Sequence, residues 1–249
     1  MSKPMIKVQH KKIASDENNN SRRQFLKMGS LAVVGTGLLL SCSNDDDFSP
    51  PVKPEPDVFD LGAGDLGILN YAYALEQLEA AFYTNVLDGG FWAGASAEEK
   101  LILEDLYDHE VIHREFFKAA ITAAVNGDTT KVLPELEFDF SSVDFGDRAS
   151  VLGTARVLED TGVAAYNGAG NLIQTPDYLV LAGKIVSVEA RHAAAIRTLF
   201  FDDPQAFAGD DIVNANGLGL AQPPAEILAA VGQTGFVKTE FTANQLPTG

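Results

Sequence analysis

The 249-residue chain carries 18 Lys and Arg against 35 Asp and Glu, a formal charge of −17, and 46% of its residues are hydrophobic. This composition supports one globular domain with a sizeable core plus terminal segments, and its acidity excludes nucleic acid as a partner, because binding phosphates needs Lys and Arg. The single cysteine, Cys42, excludes an intrachain disulfide and a Cys-rich metal site.

Residues 1–41 read as an export signal. Ser21-Arg22-Arg23-Gln24-Phe25-Leu26-Lys27 resembles the twin-arginine pattern, and the apolar run at 31–40 is too short to span a bilayer comfortably. Leu39-Leu40-Ser41-Cys42 resembles a lipobox, which implies a lipid anchor on Cys42 and a membrane-attached protein in the periplasm or at the cell surface. Residues 42–64, acidic at Asp45, Asp46 and Asp47 and carrying Pro50, Pro51, Pro54 and Pro56, predict a tether. Without the seven Lys and Arg and two Asp and Glu of residues 1–41, the formal charge is about −22, as for a solvated acidic surface.

A first helix is predicted over about 65–87, with Asp65 as N-cap, Leu66, Leu69, Tyr73, Glu76, Ala80 and Tyr83 on one stripe, and Gly89-Gly90 ending it. Glu79 stands on the adjoining stripe with Ile68, Ala72, Leu75, Phe82 and Val86, so helical geometry admits either carboxylate to the interior. Ser96-Ala97-Glu98-Glu99 predicts a capping box and a second helix to about 125, its inward stripe Leu103, Leu106, Glu110, His113, Phe117, Ala120 and Ala124. His109, four residues before His113, opens a His-x3-His alternative; the matching position in the fourth helix is Val188.

Residues 127–146 form the longest connection, with an alternating Leu136-Glu137-Phe138-Asp139-Phe140 stretch suited to crossing a bundle extended. A third helix over about 147–172 turns Leu152, Ala155, Glu159, Gly162, Tyr166 and Ala169 inward. Gly162 is unfavourable mid-helix by about 1 kcal/mol relative to Ala, which points to a close helix contact or to crowding near the site. Thr175-Pro176-Asp177 opens a fourth helix to about 200, with Ala182, Ile185, Glu189, His192, Ile196 and Leu199 inward. Residues 204–249 read as an irregular extension with a short helix near 224–231.

The pattern repeats. Glu76 and Tyr83 match Glu159 and Tyr166 as Glu-x6-Tyr, while Glu110-Val111-Ile112-His113 matches Glu189-Ala190-Arg191-His192 as Glu-x-x-His. The spacing from Glu76 to Glu110 is 34 residues and from Glu159 to Glu189 is 30, so one helix pair is used twice. The match favours Glu76 over Glu79. Burying any of these charges without a partner costs several kcal/mol. Arg114, Arg156 and Arg191 offer ion pairs for individual carboxylates, but all six groups together are best satisfied around two divalent cations. Four carboxylates balance two such charges, and the mixed oxygen and nitrogen set suits iron or manganese. Tyr83 and Tyr166, two turns beyond their Glu, serve as hydrogen-bond partners of ligands, as redox-active neighbours or simply as core aromatics.

A Glu from each of two helices and a Glu-x-x-His from each of two others resembles the ligand pattern of ferritin-like di-iron and di-manganese bundles. The likeness covers about residues 65–203, and within that group the chain is similar to bacterial exported ferritin-like proteins related to plant desiccation-related proteins. It implies an all-α, antiparallel four-helix bundle with one long crossover between the second and third helices. It implies Glu76, Glu110, His113, Glu159, Glu189 and His192 as ligands of two iron or two manganese ions. It further implies oxidoreductase chemistry with O2 or H2O2, of ferroxidase, peroxidase or catalase type; the alternative is a non-catalytic metal-binding or structural, stress-related envelope lipoprotein. A lipid tether counts against a storage cage but admits a smaller homo-oligomer.

Overall fold

The computed structural model describes residues 58–248, so the signal, Cys42 and most of the tether lie outside the described residues. The helices are α1 (Gly64–Asp88), α2 (Gly90–Gly94), α3 (Ala97–Ala124), α4 (Arg148–Gly170), α5 (Pro176–Phe201) and α6 (Pro224–Thr234); β1 (Phe59–Asp60) and β2 (Phe241–Thr242) pair in parallel. Four long helices build the bundle, with α1 packed chiefly on α3 and α4 on α5. Short connections within each pair make the neighbours antiparallel, and the one long connection joins α3 to α4. This is the all-α, four-helix architecture expected from the sequence.

Local signals set most boundaries. Ser96 and Glu99 form both halves of the capping box of α3, and the Asp147 carboxylate accepts the Ser150 N–H at the start of α4. Asp65 departs from expectation. The N-cap of α1 is Ala63, and Asp65 lies inside the first turn, where its carboxylate accepts the N–H groups of Gln174 and Thr175 at 2.7 and 2.9 Å. It thereby satisfies donors ahead of α5, whose own N-cap Thr175 makes no side-chain bond, and holds the starts of α1 and α5 at one end of the bundle.

The first helix is buried all round: every residue from Gly67 to Ala80 is buried. Its outer face is covered by the crossover and the C-terminal chain, which meet there. Asn70 accepts the Leu133 N–H and donates to the carbonyls of Leu61 and Lys131; Gln77 accepts the Leu136 N–H and donates to Pro134 O. Phe138 of the crossover bridges Val237, and Phe140 packs against Phe82, Phe145 and Phe236. Residues 58–63, assigned to the tether from sequence, are therefore built in through β1, where Asp60 accepts the Thr242 hydroxyl at 2.7 Å.

The C-terminal chain also grips the second helix pair. Ile227 of α6 is wholly buried, and the Gln222 N–H bonds Ala164 O of α4 at 3.1 Å. Gly168 makes that approach possible, since a Cβ there would lie 1.8 Å from Gln222 O. Arg197 of α5, 2% exposed, donates to Asp160 of α4, to Asp211 and to Ala206 O. Among the described residues, no helix is long and apolar enough to cross a membrane.

Candidate metal centre

The inward stripes of the four long helices converge at mid-bundle. Glu76, Glu110, Glu159 and Glu189 are 0% exposed, His192 3% and His113 9%. They form two groups, Glu76 with Glu110, His113 and Glu189, and Glu159 with Glu110, Glu189 and His192; in each, one side-chain donor atom per residue lies within 4.8 Å of the others. Glu110 and Glu189 are common to both groups and so stand between them. Glu76 and Glu159 stand at opposite outer ends.

The contacts cross between the two helix pairs. His113 Nδ1 of α3 lies 2.9 Å from Glu189 Oε1 of α5, while His192 Nδ1 of α5 lies 2.7 Å from Glu110 Oε1 of α3. The tyrosines cross in the same way. The Tyr83 hydroxyl of α1 donates to Glu159 Oε1 at 2.5 Å, and the Tyr166 hydroxyl of α4 donates to Glu76 Oε1. The doubled Glu-x6-Tyr thus has a physical meaning: each tyrosine serves the carboxylate of the other helix pair, not its own. Burial, then the adjoining carboxylates, raise both phenols well above their ordinary range, so they remain donors.

Burial and the neighbouring charges set where the protons of the cluster reside. Burial, then repulsion from Glu189, pushes Glu76 well up, and burial pushes Glu159 up to about 7. Burial also opposes ionisation of Glu110, yet the imidazoles of His113 and His192 beside it hold it down at about 2. Burial disfavours the charged imidazoles, but the carboxylates around them prevail, and His113 is pushed up to about 12, with His192 raised likewise.

Protons satisfy this set poorly. Although several contacts are short, they are misaligned for hydrogen bonding, and eight buried atoms of the six residues have no hydrogen-bond partner: Glu76 Oε2, both oxygens of Glu110 and Glu189, Glu159 Oε2, and the Nδ1 atoms of His113 and His192. Orphaned buried donors and acceptors at this density are costly, and eight of the eleven such side-chain atoms among the described residues lie in the groups that meet at mid-bundle. The arginines do not relieve them. Arg114 pairs with Glu115, Arg156 approaches Asp160, and among the described residues Arg191 makes no ion pair. A hard or borderline divalent cation fits such carboxylate and imidazole donors, so this buried group could hold metal ions.

A family model for the ferritin-like domain matches residues 64–202. The chain belongs to that family. A comparison with curated proteins finds no match. In this ferritin-like chain, the matched region runs from the start of α1 to the end of α5, taking in both helix pairs and the crossover between them.

Three further features were not assigned from sequence. Glu79 is buried and lies outside both groups; its carboxylate packs over Gly162, where a Cβ would meet Glu79 Oε1 at 3.0 Å, which accounts for a glycine inside α4. His109 does not join His113. Its Nδ1 lies 2.9 Å from Nε2 of His192, a contact across helices that i, i+4 spacing within α3 could not reveal. One turn along the bundle from the cluster lies an almost wholly apolar cavity of about 30 Å³, bounded by Ala72, Leu75, Phe117, Ala165, Tyr166 and Ile185.

Proposed function

We propose that this ferritin-like protein holds two iron or two manganese ions between Glu76, Glu110, His113, Glu159, Glu189 and His192, and acts as an oxidoreductase on O2 or H2O2. The observation that carries the reading is the convergence of eight partnerless buried atoms at two adjoining four-residue groups. Such a metal pair, when bound, supplies the electrons and the Lewis acidity for oxygen chemistry.

The protein's own residues prepare the place for it. Glu110 and Glu189 are set between the two positions, and Tyr83 and Tyr166 each immobilise one oxygen of an outer carboxylate while leaving the other unpartnered. Burial of all four carboxylates keeps bulk water out, which strengthens every charge interaction inside. The apolar cavity beside Tyr166 suits O2 better than H2O2, whose two hydroxyls would find few hydrogen-bond partners along its walls.

We extend the proposal to location. The twin-arginine match at Ser21–Lys27 and the lipobox-like Cys42 support export as a folded protein and a lipid anchor in the envelope. The test of activity is O2 uptake by full-length protein loaded anaerobically with Fe²⁺ and then mixed with oxygenated buffer. Uptake faster than free Fe²⁺ gives, abolished by Glu110→Ala, is expected; equal rates with and without protein would overturn the oxidoreductase reading.

A further inference from the structure

The doubled pattern is broken at one place that touches the centre. Position 109 in the first Glu-x-x-His helix is His, while its counterpart in the second is Val188. We infer that His109 is a positioning residue for His192, holding the proton on Nε2 so that Nδ1 is the nitrogen free to bind a metal, and that it thereby makes the two halves of the centre unequal. The inference rests on the dimetal reading above.

The geometry is that of a directed hydrogen bond. His109 Nδ1 and His192 Nε2 are 2.9 Å apart, and the ring planes differ by only 12° with centroids 5.2 Å apart. That centroid separation is about the nitrogen separation plus a ring radius at each end. The rings therefore lie edge to edge in nearly one plane, with the lone pair of one nitrogen aimed at the N–H of the other. A neutral imidazole has one N–H and one lone pair. His192 Nδ1 is the atom that faces Glu110, Glu159 and Glu189, at 2.7, 3.5 and 3.6 Å. A metal at that position needs the lone pair on Nδ1, so the proton must sit on Nε2, and His109 Nδ1 is the acceptor that keeps it there. The His109 ring is exposed, so its own N–H is left to water.

The other half lacks this device. His113 also presents Nδ1 inward, 2.9 Å from Glu189 Oε1, but among the described residues no group bonds its outer nitrogen. The residue that the repeat would bring to it is Val188, which cannot accept a proton. The His192 ring is fixed from both sides and the His113 ring from one. Partners of this kind change metal affinity by about 10–100-fold, so the position formed with Glu159 and His192 fills before the position formed with Glu76 and His113.

The test is titration of metal-free, full-length protein with Co²⁺, followed by calorimetry, by the visible cobalt bands and by the exchangeable ring N–H of the ligated histidine. Wild type should bind in two steps separated by roughly tenfold or more, with the first step giving a slowly exchanging N–H. His109→Phe keeps a flat ring on an exposed helix position but removes the acceptor. It should weaken the first step roughly 10–100-fold, merge it with the second and speed the N–H exchange, with the helical spectrum unchanged. His109→Gln, whose carbonyl can accept, should restore both readouts. Val188→His should tighten the second step. A His109→Phe protein with wild-type steps and slow exchange would overturn the inference while the dimetal reading stands. Failure of His109→Gln to restore would likewise overturn it, and a wild type that takes up no Co²⁺ would overturn both.

Discussion

Glu76 and Glu79 lie one turn apart on α1, both buried, but their surroundings differ. Glu76 Oε2 is 3.4 Å from His113 Nδ1, inside the cluster, whereas Glu79 faces Gly162 and the apolar residues Leu75, Leu78, Leu158 and Val231. Burial, then repulsion from Glu110 and Glu189, pushes Glu79 well up, so it is a neutral acid that Gln imitates. Glu79→Gln should therefore retain bound metal and change stability by less than about 1 kcal/mol, whereas Glu76→Gln should lose metal; elemental analysis of the two purified variants decides, and metal loss from Glu79→Gln would make it the ligand instead. The same charges fix the pH response of the metal-free protein. Groups raised on folding, Glu76, Glu79 and Glu159 among the acids and His113 and His192 among the bases, hold more protons folded than unfolded, so stability falls as pH rises past their unfolded values. Glu110, depressed to about 2, acts oppositely, but its loss falls below its unfolded value of 4.5. Glu159, moved from 4.5 to about 7, is alone worth on the order of 3 kcal/mol. The metal-free protein should accordingly melt several degrees lower at pH 8 than at pH 5, and added Mn²⁺ should stabilise it more at pH 8. A melting temperature that rises over this range without metal would contradict the raised affinities of these groups for protons.

The buried amides of α1 decide how the crossover is held. Gln77→Ala leaves the buried Leu136 N–H without a partner, whereas the carbonyl of the exposed Pro134 can turn to water. One such orphan costs about 1–3 kcal/mol, or a melting temperature lower by about 2–12 °C, without altering the six residues of the cluster. Chemical denaturation checks this, and a loss below about 0.5 kcal/mol would show that the crossover is not pinned there. The helices themselves were legible, because inward stripes, Ser96 with Glu99, Asp147, Pro176 and Gly89 are local signals. The outer face of α1 was not. It is covered by chain that arrives from far along the sequence, such as Glu137 bonded to Thr239, 102 residues away. Asp65 misled for a similar reason, since its carboxylate is spent on α5 and not on its own helix.

Across the whole molecule, two helix pairs present equivalent residues to each other, which is why the six-residue cluster could be read from a repeat. The i, i+3 spacing of Glu-x-x-His puts both groups on one face whatever the rotation of the helix, and the repeat supplies the other half. The crossed partners, Tyr83 to Glu159 and Tyr166 to Glu76, and the reach of His109 to His192 depend on how the pairs dock, which no local spacing encodes. The cavity beside the cluster likewise exists only in the docked bundle. Filling it with Ala165→Leu should abolish xenon binding to the protein and slow the reaction with O2 while metal content stays unchanged; unchanged xenon binding and O2 rates would separate the cavity from the chemistry. The bound metals themselves are the most direct measurement. Their content should be measured in full-length protein purified after growth with iron and manganese both supplied, beside a Glu110→Ala, Glu189→Ala double variant. About two ions per wild-type chain, absent from the variant, is the expected result; no metal in either protein, or the same amount in both, would contradict it.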